Sequence, residues 1–280
     1  MRLPNFGYHF ARLHGRIVRR IYRFLLPSIV RRSVKVPRAL DFDVFAYSSR
    51  ENLPEQVASI RSFLRHAGRP RKFTVVSDGS HTAESIGLLQ GIDPCVRVEQ
   101  ARPPQTDPAD KFSHYLANHP TGKQLALIMT LPGDVPAFYI DSDVLFFEGA
   151  ADLVQRAHTR DVVAYYLADC QFAGDERLLH DSSEKTCPVN TGVLLLFQKL
   201  DWSFGAARFA ELAGDPIFFT NQTITHLVMH ANKAKPFDPA SYVLQLDDQF
   251  VYSDRYAGPK LALRHYVNPV RHKFWTSLNQ

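Results

Sequence analysis

The chain has 280 residues, 45% hydrophobic and 22% charged, which is enough to bury one large core and is the balance of a soluble globular protein. Three widely spaced cysteines, Cys95, Cys170 and Cys187, exclude a disulfide framework or zinc-type cluster and fit a reducing, cytoplasmic setting; no apolar run approaches the ~20 residues of a membrane span. The net charge of +5 is uneven: ten basic residues from Arg2 to Arg38 precede the first acid, Asp41, and the rest carries 23 basic against 28 acidic residues, which argues against nucleic acid as a partner.

Residues 1–40 read as a basic arm. Phe10, Leu13, Ile17, Ile21, Phe24 and Leu25 recur at helical spacing, with Arg12, Arg16, Arg19, Arg20 and Arg23 largely on the other side. Pro27 is expected to end this helix. Such a helix can lie in the plane of an anionic membrane, peripheral on its inner face. Alternatively it packs its apolar face on the body and shows its arginines to water. The sequence leaves both open.

The body spans 41–280. A strand from Phe42 to Tyr47 ends in Ser48-Ser49-Arg50, a helix runs from Asn52 to His66, and a strand from Lys72 to Val76 closes in Ser77-Asp78-Gly79. A helix from Thr82 and a strand near Val96 follow. This alternation predicts an α/β fold, a Rossmann-like, mostly parallel sheet flanked by helices. Tyr47, Ser48, Arg50 and Asp78 then stand at strand C-termini, the edge where such sheets bind ligands. Asp110 to Thr130 reads as one helix carrying Lys123.

The central stretch is AFYIDSDVLFFE, Ala137 to Glu148. Its apolar quartets predict a strand buried on both faces. Two carboxylates inside such a stretch need compensation. Residues i and i+2 of an extended chain share a face, so Asp141 and Asp143, flanking Ser142, can converge on one cation, and oxygen ligands suit Mg²⁺ or Mn²⁺. Beyond it come a helix from Ala151, a strand from Val162, a polar loop from Asp169 to Lys185, and Asn190-Thr191-Gly192 leading into an apolar strand. A helix from Thr220 to His230 carries Asn221 and Gln222. A short strand from Val243 runs into Asp247-Asp248. The last segments are His265-Tyr266 and Arg271 to Trp275.

Four motifs in order, YIDSDVLFF, VNTGVLLL, NQTI and H-Y…K-x-W, resemble the nucleotide-diphospho-sugar transferases of GT-A type, most nearly glycosyltransferase family 8. The resemblance covers roughly residues 42 to 275. It implies that Asp141, Asp143 and His265 bind the metal, with His272 as the fallback ligand. It also implies that Lys123, Arg271 or Lys273 meets the diphosphate of a donor such as a UDP-sugar, and that Asn190 faces donor or acceptor sugar. The acceptor would be a saccharide or a lipid-linked one. Asn221 replaces the family's acid before the glutamine. Asn268 and Arg271 stand where the family has glycine and lysine. A retaining transfer would set Gln222 beside the reactive carbon; an inverting one would need Asp247 or Asp248 as base. A nucleotidyltransferase usually has a Gly-rich basic loop after its first strand, where this chain has Ser48-Ser49-Arg50-Glu51. A D-x-D phosphohydrolase usually has Thr or Gly after the motif, where this chain has Val144. A non-catalytic nucleotide-sugar binder is the third rival.

Overall fold

The computed structural model describes residues 5–101, 110–158 and 162–278; Arg2 of the arm lies outside them. Strands β1 (Asp43–Ser48), β2 (Lys72–Ser77), β3 (Val96–Gln100) and β4 (Ala137–Ile140) pair in parallel, in the order β3-β2-β1-β4. The chain then leaves this sheet. Val144–Phe146, β5, belongs to a second, three-stranded sheet, so the expected single strand is two strands joined by the turn Asp141–Asp143. β6 (Ala164–Ala168), β7 (Val189–Leu196) and β8 (Lys235–Pro236) complete the large sheet in the order β4-β7-β6-β8, with β7 antiparallel to both of its neighbours. β9 (Tyr242–Val243) and β10 (Leu263–His265) complete the small one, β10 lying between β5 and β9.

β4 and β7 are buried along their whole length because helices cover both faces of the sheet. Phe138, Ile140, Val193 and Leu195 pack toward α2 (Leu53–His66) and α3 (Ala83–Gln90). Tyr139, Leu194 and Leu196 pack toward α4 (Lys111–Asn118), α5 (Pro120–Met129), α6 (Ser203–Ala210) and α7 (Thr220–Ala231). The expected helix from Asp110 to Thr130 is broken at His119, whose extended backbone precedes Pro120.

The arm forms α1 (Phe6–Val30), and Pro27 lies inside it. Burial of Leu26 and Val30 against the body holds the turn that the proline would otherwise end. The helix docks the opposite way to the packing alternative. Ala11, Gly15, Leu26 and Val30 face the body, while Phe10, Leu13, Ile17, Ile21 and Phe24 face solvent, Phe24 being 83% exposed. Small residues permit this approach: a Cβ on Gly15 would stand 2.4 Å from the carbonyl oxygen of His272. On the body side Arg19 pairs with the Glu55 carboxylate, and Arg19 and Arg23 both donate to the Glu51 carbonyl. No described helix is long and apolar enough to cross a membrane.

Candidate active site

The turn between the two sheets sets the site. Asp141 follows β4, and its N–H donates to the carbonyl of Gly192 on β7 at 2.8 Å. Asp143 precedes β5. β10 runs antiparallel to β5 with His265 opposite Val144, and the Tyr266 N–H donates to the Asp143 carbonyl at 3.0 Å. This register brings His265 Nε2 to 3.1 Å from Asp143 Oδ1 and 3.7 Å from Asp141 Oδ2. One ligand atom from each of the three lies within 4.8 Å of the others.

Gly192 makes the convergence possible. A Cβ there would stand 2.3 Å from His265 Cε1 and 2.6 Å from Asp141 Oδ2. Asn190 Oδ1 accepts from the Gly192 N–H and from His265 Nδ1, each at 2.9 Å. That bond fixes the imidazole with Nε2 toward the carboxylates. Gln124 Nε2 donates to Tyr139 Oη at 2.7 Å and to Asp141 Oδ1 at 2.9 Å, and the Tyr139 hydroxyl donates to the same oxygen at 3.0 Å. Asn221 closes the chain by donating to Gln124 Oε1.

Burial raises the Asp141 pKa above the usual carboxylate range, outweighing the pull of His265. Burial opposes ionisation of Asp143 too, but His265 and Arg271 prevail and hold its pKa below that range. The imidazole of His265 is disfavoured as a cation by burial, yet the two aspartates push its pKa up. The acid pair therefore favours a positive charge between its carboxylates.

A pocket of about 450 Å³ opens over the cluster. Of the residues expected there, Tyr47, Ser142, Asn190, Gln222 and Arg271 line it with the three cluster residues. Arg271 donates to Asn52 Oδ1 at 3.0 Å and lies 3.7 Å from Asp143 Oδ2. Gln222 Nε2 donates to the Ala173 carbonyl at 2.7 Å and to Asp169 Oδ2 at 3.3 Å. A larger cavity of about 790 Å³, between α1, α2 and β5, touches none of this chemistry.

Other expectations require correction. Lys123 lines a separate cavity of about 130 Å³ with Asp78, and its neighbour Gln124 faces the pocket instead. Ser48 is buried, being one residue out of phase with Tyr47 on β1. Asp78 accepts from the N–H and hydroxyl of Ser80, and that same hydroxyl accepts from the Arg50 N–H, so Asp78 and Arg50 belong to a neighbouring turn. Asp248 is fully buried in an ion pair with Arg264 at 2.8 Å, and Arg264 also pairs with Asp254. Lys273 joins that cluster, donating to the carbonyls of Val251 and Ser253. Asp247 accepts from the Tyr256 hydroxyl at 2.6 Å. None of Asp247, Asp248 and Lys273 reaches the pocket. His272 Nδ1 bonds the Pro269 carbonyl and stands outside the metal-type cluster. Asp169, Gln124 and Tyr139 are functional candidates that sequence reasoning missed. Asp169 carried the signal of opening a polar loop after a strand; the other two carried none.

No protein-family model matches the chain, and no curated protein matches it. Solved structures match it in fold. The galactosyltransferase LgtC in complex with donor and acceptor sugar analogs aligns at TM-score 0.51 and 13% identity, over 84% of this chain and 94% of that one. The WbbM bifunctional glycosyltransferase aligns at TM-score 0.57 and 15% identity, over 89% of this chain and 50% of that one. Mouse xyloside xylosyltransferase 1 aligns at TM-score 0.51 and 13% identity, over 83% and 99%. The chain has the GT-A glycosyltransferase fold.

Proposed function

We propose that the chain is a metal-dependent glycosyltransferase, moving a sugar from a nucleotide-diphospho-sugar, a UDP-sugar, to a saccharide or lipid-linked acceptor with retention of configuration. One observation carries this reading: Asp141, Asp143 and His265 converge within a GT-A fold. Their donor atoms fit a divalent ion. Two carboxylates and one imidazole nitrogen suit Mn²⁺, with Mg²⁺ favouring the oxygens. Asn190 takes Nδ1 of His265, while Gln124 and Tyr139 take Oδ1 of Asp141, which leaves Nε2 and Oδ2 as the ligating atoms. When bound, such an ion neutralises charge growing on a diphosphate leaving group. Arg271, beside Asp143, would share that task as a charged hydrogen-bond donor.

Retention is supported by Gln222. Both of its hydrogen bonds leave through Nε2, so Oε1 is the atom available to the sugar. Asp169 favours a second reading. Among the described carboxylates lining the pocket it is the one outside the acid–histidine cluster, and inverting transfer would use it as base. The anomeric configuration of the product, read by NMR, decides between them. The donor site is tested by calorimetry: Asp143→Asn should abolish Mn²⁺-dependent UDP binding in a folded protein, and undiminished affinity would overturn the reading.

The acceptor is met at an anionic membrane. In support, α1 turns an apolar stripe away from the body, with exposed Arg16 and Arg20 along its flank. Each basic residue near such a surface contributes about 1 kcal/mol.

A further inference from the structure

Between α1 and the pocket lies a second cleft of about 750 Å³. It shares Asn52, Phe218, Asn268 and Arg271 with the pocket, so the two adjoin. α1 contributes Arg12, Arg16 and Arg19 to its wall. With Arg271, four guanidinium groups meet two carboxylates, Glu51 and Glu55. Glu55 is buried and already held by Arg19. Arg12 donates to the Tyr8 hydroxyl at 3.1 Å and lies over that ring. Arg16 is exposed and has no hydrogen-bond or ion-pair partner among the described residues.

A cationic surplus in a cleft draws anions, and planar guanidinium groups match the oxygens of a phosphate. The lining is also apolar in part. Trp275 contributes to one wall, and Phe218, 69% exposed, stands where cleft and pocket join. Resting on the glycosyltransferase reading above, we propose that this cleft holds the phosphate group of an amphiphilic acceptor. The sugar end of that acceptor enters the pocket past Arg271 and Phe218, and its apolar end stays with the bilayer that α1 faces.

The test is calorimetric binding of decyl phosphate, below its aggregation concentration and at low salt, to the full chain without nucleotide or metal. Arg16→Gln should weaken binding about tenfold, the scale of one charge-assisted hydrogen bond. Arg12→Gln should act in the same direction. Arg20→Gln, one turn further along α1 and outside the cleft, should change it less than twofold. Inorganic phosphate should bind at least tenfold more weakly than decyl phosphate. No binding to the parent chain, or equal losses at Arg16 and Arg20, would overturn the cleft assignment. Equal affinity for inorganic phosphate would overturn the amphiphile. In the transfer assay Arg16→Gln should raise KM for a phosphate-bearing acceptor and leave KM for the donor unchanged. Failure of the donor reading would appear separately, as missing Mn²⁺-dependent UDP binding with the decyl phosphate result intact.

Discussion

Replacing Gly192 by alanine adds one methyl group at the point where the two sheets meet. The backbone tolerates it, since Gly192 is not among the positive-φ glycines. The space does not. The new Cβ would lie 2.3 Å from His265 Cε1, 2.6 Å from Asp141 Oδ2 and 2.9 Å from His265 Nδ1. Carbon atoms in contact prefer ~3.5–4.0 Å, so His265 must retreat by about 1 Å. Its 2.9 Å bond to Asn190 would then stretch beyond hydrogen-bonding range. Overpacking of this kind costs about 1–3 kcal/mol of stability. Losing the bond that orients a metal-ligating histidine typically costs about 10–100-fold in affinity. Thermal melts and Mn²⁺ titrations with UDP measure the two effects. Gly87→Ala, an exposed helical site with nothing within 4 Å, is the control. Gly192→Ala with parental Mn²⁺ affinity would refute the claim that His265 is a ligand held in place by the missing side chain.

Further outcomes follow from the same contacts. Gln124→Leu should reduce Mn²⁺ affinity about tenfold with the fold intact, because Asp141 Oδ1 loses a donor and Asn221 its acceptor; titration with circular dichroism as a fold check measures it. Arg264→Met should cost about 3–5 kcal/mol in denaturant unfolding, by stranding two buried carboxylates, whereas Asp247→Asn should be near neutral. The Asp248 and Asp254 pKa values are lowered: burial opposes this, but Arg264 outweighs it. The unfolded chain therefore binds more protons in that range. The stabilisation is complete above the ordinary carboxylate pKa of ~3.9 and is lost as pH falls through the depressed folded values, which acid titration of the melting temperature should show. Phe10→Ser with Ile17→Ser should abolish salt-sensitive sedimentation with anionic vesicles while leaving the melting temperature in place, because both side chains are exposed. Retained sedimentation would refute the membrane face.

Much of the large sheet was legible because its strands are short apolar runs between helical periods. The acid pair was legible for a partly wrong reason. Asp141 and Asp143 converge at a turn between two sheets, not along one extended strand. Nothing in the sequence pairs β10 with β5, so His265 came from family resemblance rather than periodicity. Lys123 and Gln124 are adjacent on one helix, about 100° apart, and the charge drew the expectation to the wrong one. Among the C-terminal cations, burial decides that Lys273 serves the core and Arg271 the pocket, and burial there depends on contacts remote in sequence. The arm shows a related limit. An amphipathic pattern marks two faces without saying which one docks, and the small residues Ala11 and Gly15 were the overlooked sign.

The His265–Asp143 contact spans 122 positions of the chain. In kinetic terms it closes a very long loop, and its ordering entropy must be met before the contact gives anything back. The β1–β2 and β2–β3 pairs join positions only 29 and 23 apart, and that part of the large sheet can form without it. Refolding should therefore restore far-ultraviolet ellipticity first and nucleotide affinity afterwards. Over that interval the two aspartates stand without their histidine, and a divalent ion in the refolding buffer would shorten it by holding the carboxylates together until β10 arrives.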